Sequence, residues 1–229
     1  MTKTVLITGA NRGLGRETAI QLSQPGYALV LTARDPRGLE DLDLPLTTRL
    51  ALDVSSPGDI ERFLNELKDR RTQIDVLINN AGVSLDHFAA PFEVDAQTLQ
   101  QTFATNTFGP FLLCQGLLPE MLQRNYGRIV NVSSRMGHLE GFKSTAPAYR
   151  LSKHSLNGIT KIFSQLALEQ DRDVLVNSVC PGWVRSKMGG PDAPLSLSEG
   201  AEGIVWAATL PALGPNGKFF SQRAEIANF

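Results

Sequence analysis

Only two cysteines and three histidines occur among the 229 residues. Cys114 and Cys180 stand far apart with no CxxC spacing, which argues against a disulfide framework and leaves two buried, reduced side chains as the expectation. His87 and His138 have no carboxylate at ligand spacing, so no metal site is expected. No window reaches about 18 uninterrupted apolar residues, so no membrane span is expected. Neither sign of charge is in excess: Lys plus Arg is 22, Asp plus Glu is 23, and the net charge is −1. A general nucleic-acid binder needs a phosphate-neutralising surplus, so no nucleic-acid partner is expected. The one dense basic run, Lys68–Arg71, falls at a predicted helix end, where it complements the dipole. The apolar run near the N-terminus is too short for a secretory signal and serves better as a strand. Together these absences predict a soluble, cytoplasmic protein.

What is present is a globular balance of 42% hydrophobic and 20% charged residues. A chain of this length buries roughly 70% of its unfolded surface and needs no staple. Short apolar runs alternate with amphipathic stretches. Strands are predicted at Thr4–Thr8, Ala28–Ala33, Arg49–Val54, Asp75–Asn79, Arg128–Val132, Val174–Cys180 and Gly217–Phe220. Helices are predicted from Leu14 to about Gln24, after the Ser56-Pro57 cap, from Thr98 to about Arg124 with a break near Gly109-Pro110, over Tyr149–Glu169, and over Glu199–Thr209. Such alternation with nearly continuous apolar strands predicts an α/β fold. It is a doubly wound parallel sheet with helices on both faces, one domain over residues 1–229. Segment 183–198, with two prolines and Gly-Gly, is long enough to act as a lid.

The loop Thr8-Gly9-Ala10-Asn11-Arg12-Gly13-Leu14-Gly15 lies between the first strand and first helix. Glycines there allow a tight turn and close approach of backbone to a pyrophosphate at the helix N-terminus. The second strand ends in Arg34-Asp35, the place where a dinucleotide ribose is read. A carboxylate there suits a 2′-hydroxyl, and an arginine suits a 2′-phosphate. Arg12 and Arg34 together favour the phosphate, while Asp35 either pairs with Arg34 or favours the free hydroxyl.

Other polar motifs gather at strand ends, where ligands bind in open parallel sheets. Asn79-Asn80-Ala81-Gly82 closes the fourth strand, Asn131-Val132-Ser133-Ser134 the fifth, and Pro181-Gly182-Trp183-Val184 follows the sixth. Tyr149 and Lys153 share a helical face at i, i+4. An ammonium beside a phenol is expected to lower the phenol pKa from about 10 and ready it for proton transfer.

These motifs, with Asp53 and Asn106, resemble the short-chain dehydrogenase/reductase family over nearly the whole chain. The stretches LTARD and PGWVRSKMGGPDAP, with GKFF, resemble its NADPH-dependent carbonyl reductase branch. The resemblance implies a Rossmann-like fold and an oxidoreductase that moves hydride from NADPH to an aldehyde, ketone or quinone-like carbonyl. It implies that Tyr149 protonates the carbonyl oxygen and Ser134 hydrogen-bonds it. Lys153 holds the nicotinamide ribose and depresses the tyrosine pKa, and Asn106 positions a relay water. NADP(H) contacts are implied for Gly9, Asn11, Arg12, Gly13, Leu14, Gly15 and Arg34, for Asp53 and Val54 at the adenine, and for Asn80, Ala81 and Gly82. Tyr149, Lys153, Pro181, Gly182, Val184 and Ser186 complete that set, with Ser186 at the carboxamide.

Ser186 replaces the family's usual threonine. Ser134 precedes Tyr149 by two residues more than usual, which keeps Ser133 in play. The large insertion of the animal carbonyl reductases before the tyrosine is absent. Met136, His138, Phe142, Trp183 and Met188 flank the site, and Met136, His138, Trp183 and Met188 are expected to line an apolar substrate pocket. Apolar side chains on the helices near Asn106–Met121 and Tyr149–Leu168 predict a homo-oligomer, a dimer or a tetramer. The rival readings are an NAD(P)-dependent alcohol dehydrogenase, a reductase of carrier-bound ketones, and a non-catalytic NADPH-sensing protein.

Overall fold

The computed structural model describes residues 2–227. Eight strands form one sheet: β1 Thr4–Thr8, β2 Ala28–Ala33, β3 Thr47–Ala51, β4 Val76–Asn79, β5 Gly127–Val132, β6 Val174–Cys180, β7 Phe219–Ser221 and β8 Ala224–Ile226. Their spatial order is β3-β2-β1-β4-β5-β6-β7-β8. All neighbours run parallel except β7 and β8. The chain builds outward from β1 to β3, then returns to place β4 on the other side of β1. That reversal opens a crevice at the carboxyl ends of β1 and β4, the usual ligand position in such sheets.

Alternation along each strand explains why both faces are covered. Leu6, Leu77, Ile129 and Val176 point to one side, where they join Phe63 of helix α2 (Pro57–Asp69), Leu117 of α4 (Gly109–Gln123) and Phe163 of α5 (Pro147–Glu169). Val5, Ile7, Ile78 and Val130 point to the other, against Leu22 of α1 (Gly13–Ser23) and Ile204 of α6 (Leu197–Ala208). Each such side chain contributes roughly 1.5–3 kcal/mol when fully buried. The doubly wound sheet expected from the sequence is what the structure has.

Several boundaries differ from expectation, each for a local reason. β3 runs from Thr47 to Ala51 rather than from Arg49 to Val54. Leu52 N–H still reaches Ala33 O, but the Asp59 carboxylate takes Asp53 N–H at 2.7 Å and ends the ladder. Asp53 and Val54 therefore lie in a loop. The stretch expected as one helix with a break near Gly109 divides into α3 (Ala96–Phe103), a π-helical turn (Ala104–Phe108) and α4. Two features of the sequence account for it. A Cβ at Gly109 would collide with Val54 O, so the helix passes that strand end closely. Pro110 has no N–H to give the carbonyl of Asn106 four residues earlier. The last expected strand, Gly217–Phe220, shifts to β7, and the hairpin partner β8 went unread. Its turn places Gln222 at φ 57, a left-handed position without the usual glycine signal. The lid is held by isolated bridges Val184–Leu195 and Ser186–Gly190 rather than being structureless.

Candidate active site

The glycine loop is cinched by Asn80, the residue after β4, and by Thr8 at the end of β1. Asn80 Nδ2 donates to Thr8 O (2.8 Å) and Gly9 O (3.1 Å). Thr8 Oγ1 in turn accepts from the N–H groups of Asn80 and Ala81, both at 3.0 Å. Asn80 thus acts through the loop's shape. Gly9 (φ 65) and Gly13 (φ 56) occupy the left-handed region. A Cβ at Gly15 would collide with Asn80 Nδ2 and Gly9 O, so the start of α1 presses against the loop. Helix α1 has no side-chain cap and no acid in its first turn. Helices α2, α3 and α6 are capped by Ser56, Asp95 and Ser196. The N–H groups opening α1 are thereby left for an anion.

Beside this loop, Arg12 and Arg34 are both exposed. Neither makes an ion pair with a described residue, so Arg12 in the glycine loop and Arg34 just after β2 both present unpaired guanidiniums. Asp35 resolves its two alternatives by taking neither. It pairs bidentately with Arg37 (2.7–3.1 Å) and caps the short turn Pro36–Leu39. Arg37 holds the Asp35 carboxyl below its ordinary range. That turn packs on the loop, since a Cβ at Gly38 would meet Asn11 at 3.3 Å. Past β3, Asp53 Oδ1 accepts from Ser55 N–H and Oγ–H. A dinucleotide phosphate fits these donors: a backbone cradle with no room for extra Cβ atoms, an uncapped helix and unpaired arginines.

The second half of the site lies at the ends of β5 and β6. Tyr149 and Lys153 are buried, 8% and 4% exposed. Lys153 Nζ donates to Val132 O at 2.8 Å and stands 5.9 Å from the Tyr149 ring centroid. A Cβ at Gly82 would sit 3.4 Å from both Lys153 Nζ and Asn106 Oδ1, so the β4 loop, the π turn and α5 converge here. The side-chain amide of Asn106 is fully used by Val83 N–H, Val83 O and Ser152 Oγ. Pro110, four residues on, has no N–H to give its main-chain carbonyl.

Ser134 is distinguished from Ser133 by its partners. Ser133 Oγ turns back to Lys153 O, whereas Ser134 accepts from Met136 N–H (3.1 Å) and keeps its own proton for the Tyr149 side. The longer Ser134–Tyr149 spacing is taken up by two short 3-10 turns, Arg135–Gly137 and Leu139–Gly141.

Electrostatically the pair departs from expectation. Burial pushes the Tyr149 phenol up to about 12, and the neighbouring Ser134 hydroxyl opposes that only in part. Burial pushes the Lys153 ammonium down to about 8. The phenol is therefore not lowered toward neutrality by Lys153. The ammonium is aimed at Val132 O, and loss of water outweighs the effect of its charge.

On the lid, Gly182 (φ 86) donates its N–H to Cys180 Sγ, and Val184 and Leu14 both crowd Gly200. Ser186 Oγ accepts from Gly189 N–H, and Trp183 Nε1 donates to Gly189 O. Trp183 and Met188 are exposed and Met136 half-buried, open to a substrate. His138 is a correction. Its ring is buried and its Nε2 lies 2.9 Å from Ala227 O, so it is committed to the C-terminal segment rather than the pocket. Cys114 and Cys180 are buried and free.

Three positions went unread. Ser152 accepts from Asn106 and donates to Tyr149 O (2.8 Å). Thr160 links Asn131 to Ser178 beneath the site. Asp86, distant in sequence, accepts from the backbone at Ala148 and Tyr149.

The family profile described as short chain dehydrogenase matches residues 3–194. The chain belongs to the short chain dehydrogenase family. It is 32% identical to carbonyl reductase [NADPH] 1 of Rattus norvegicus, over 95% of each chain. It is 31% identical to (+)-neomenthol dehydrogenase of Arabidopsis thaliana, covering 98% of this chain and 97% of that one. Among solved structures it superposes on the carbonyl reductase Sniffer of D. melanogaster with a TM-score of 0.87 at 29% identity, over 98% of both chains. The alignment to the rat protein spans 270 positions, so that relative carries segments this chain of 229 residues lacks. Among the described residues no helix is long and apolar enough to cross a membrane, and no group of three or more His, Cys, Asp or Glu is placed to hold a metal ion.

Proposed function

We infer that this protein is an NADPH-dependent carbonyl reductase acting on small lipophilic aldehydes, ketones or quinones. The carrying observation is the convergence of Tyr149, Ser134 and Lys153 at one buried spot beside the glycine loop. NADPH supplies the hydride when bound. Gly9, Asn11, Gly13, Leu14 and Gly15 cradle its pyrophosphate, and Arg12 and Arg34 clamp the 2′-phosphate. Asp53 and Val54 meet the adenine; Asn80, Ala81 and Gly82 form the floor. Pro181, Gly182, Val184 and Ser186 close over the nicotinamide.

Tyr149 and Ser134 direct O–H groups at the substrate oxygen. A phenol held near 12 is fully protonated at neutral pH and so stands ready as the acid in reduction. The two hydroxyls stabilise the charge developing on that oxygen, and the dry surroundings strengthen both bonds. Lys153 holds the ribose, and the Asn106 carbonyl holds the water that restores the phenol proton. The neomenthol dehydrogenase relative keeps alcohol oxidation as a second reading. The deciding experiment is NADPH consumption across aldehydes, ketones, quinones and cyclic alcohols. No turnover with any carbonyl, alongside tight NADPH binding, would favour the sensor reading.

The reading extends to a cytoplasmic homodimer. Leu117, Leu118, Ile159 and Phe163 are consumed by the core, but Phe108 (56% exposed) in the π turn before α4 and Ile162 (63% exposed) on α5 remain outside. Leu112 packs partly on the core, and Phe111 and Leu166 stay exposed. Sedimentation should show twice the chain mass at micromolar concentration, and a single species near 25 kDa would end the proposal.

A further inference from the structure

We propose that Asp86 is a positioning residue that sets where Tyr149 delivers its proton, an inference that rests on the reductase reading above. Helix α5 cannot cap itself. Its N-cap residue, Ala146, has no side-chain acceptor and sits in the left-handed region at φ 54. Pro147 at the first helical position has no N–H. The next two N–H groups belong to Ala148 and to Tyr149 itself. Both are taken by Asp86, with Oδ2 accepting from Ala148 at 2.6 Å and Oδ1 accepting from Tyr149 at 3.3 Å. Asp86 is 4% exposed and reaches the helix from the loop after β4, 62 residues away.

A buried carboxylate needs compensation. The helix dipole supplies part of it, since negative charge is favoured at a helix N-terminus. Arg150 supplies the countercharge from the helix's first turn. Arg150 is itself buried, and it donates to Thr145 O and Gly141 O, tying down the chain that leads from Ser134 into α5. Ala146 N–H also reaches Ala89 O, a second bond to the same loop.

The consequence concerns alignment. The loop carrying Asp86 continues directly from Asn80–Gly82, the floor of the cofactor groove. One carboxylate therefore ties the backbone of the proton donor to the segment that supports the cofactor. Asp86 touches neither substrate nor cofactor and acts through Tyr149 N–H. A misplacement of about 1 Å at a reacting group is worth about 100-fold in rate.

The test compares Asp86→Ala and Asp86→Asn with the unmutated enzyme. Asn keeps one oxygen for Ala148 N–H and loses the charge. The proposal expects kcat to fall at least 10-fold in Asp86→Ala and less in Asp86→Asn, with the NADPH Kd within twofold in both. Amide hydrogen exchange at Ala148 and Tyr149 should quicken in the same order, a readout that needs no turnover. If the unmutated protein reduces no carbonyl, the functional reading fails while exchange still reports on Asp86. Exchange at both amides unchanged in Asp86→Ala overturns the proposal. So does kcat within twofold of the unmutated enzyme, or a fall in kcat matched by an equal loss of NADPH affinity.

Discussion

The two halves of the site are built by different means. Between β1 and the end of β4, the cofactor half takes its ligand-facing parts from a loop of consecutive residues, the helix it opens, and the charges at the next strand end, although Asn80 clasps that loop from far along the chain. The catalytic half draws Asn106, Ser134 and the Tyr149–Lys153 pair from three separate stretches. It fixes them with bonds of long sequence separation, such as Asn106 to Ser152 and Asp86 to Ala148. Helix ends display the same contrast. α1 is left without a side-chain cap, whereas α5 borrows a carboxylate from another loop. The first half tolerates reading residue by residue. The second has meaning only once the fold closes.

The strongest way to break that contrast is Tyr149→Phe. The ring and its packing persist, but the transferable proton goes. Turnover should fall by 10²–10⁴-fold, the range for loss of a general acid. NADPH affinity, which belongs to the other half, should move less than threefold. Single-turnover NADPH oxidation and a fluorescence titration of cofactor measure the two. Near-normal turnover would remove the proton donor from the proposed mechanism.

Lys153→Met comes next and is read in stability. Lys153 is held at about 8, below its ordinary value of 10.5. Between these two values the unfolded chain binds a proton that the folded chain does not, so unfolding becomes harder as pH rises through the window. The benefit is complete above the unfolded value and lost as pH falls through about 8. Relative to the methionine variant, the unmutated protein should gain on the order of 2–3 kcal/mol between pH 7 and pH 10. Tyr149 is common to both proteins and cancels. Denaturant titrations at the two pH values give the comparison, and a constant gap would mean that Lys153 keeps its ordinary pKa.

Legibility from sequence follows the same division. The glycine loop, Ser56 cap and the periodicity of the central strands all speak through neighbours within a few residues, and the structure places them as expected, while the starts of β3 and β7 shift by two residues. Asp35 is ambiguous in the sequence because Arg34 is its immediate neighbour, while the turn that Pro36 begins folds Arg37 back onto it. β8 stayed hidden because Gln222 turns the chain without glycine. The Tyr149 pKa ran opposite to expectation because i, i+4 spacing reports proximity and says nothing of burial. His138 and Asp86 lie at loop positions whose partners, Ala227 and Ala148, are about 60 or more residues away. No local pattern marks such pairings.

A smaller effect is expected from Arg34→Ala. It removes one of the two free guanidiniums while leaving the loop, Asp35 and Arg37 in place. The preference for NADPH over NADH should narrow by about 1–3 kcal/mol, the worth of a charge-assisted hydrogen bond. Turnover at saturating cofactor should hold. Equal affinity for the two cofactors in the unmutated protein would show that the arginines do not read the 2′-phosphate.

Ser56→Ala should have the smallest effect, and it sharpens the comparison because it alters a helix end that binds nothing. Ser56 Oγ accepts Asp59 N–H at 3.3 Å at the head of α2, with Pro57 pre-set for the first turn. Loss of such a cap costs about 1 kcal/mol, with a range of roughly 0.5–2. For a chain this long that lowers Tm by about 2–4 °C. NADPH affinity should stay within twofold, because Asp53 is held independently, its N–H by Asp59 and its carboxylate by Ser55. Arg34→Ala should show the converse: a weakened cofactor and an unmoved Tm, as expected for an exposed side chain with no partner. Thermal melts and cofactor titrations of the two variants side by side make the distinction. If Ser56→Ala weakened NADPH as much as Arg34→Ala did, the cap would be part of the adenine site, and the cofactor half would be no more local than the catalytic one.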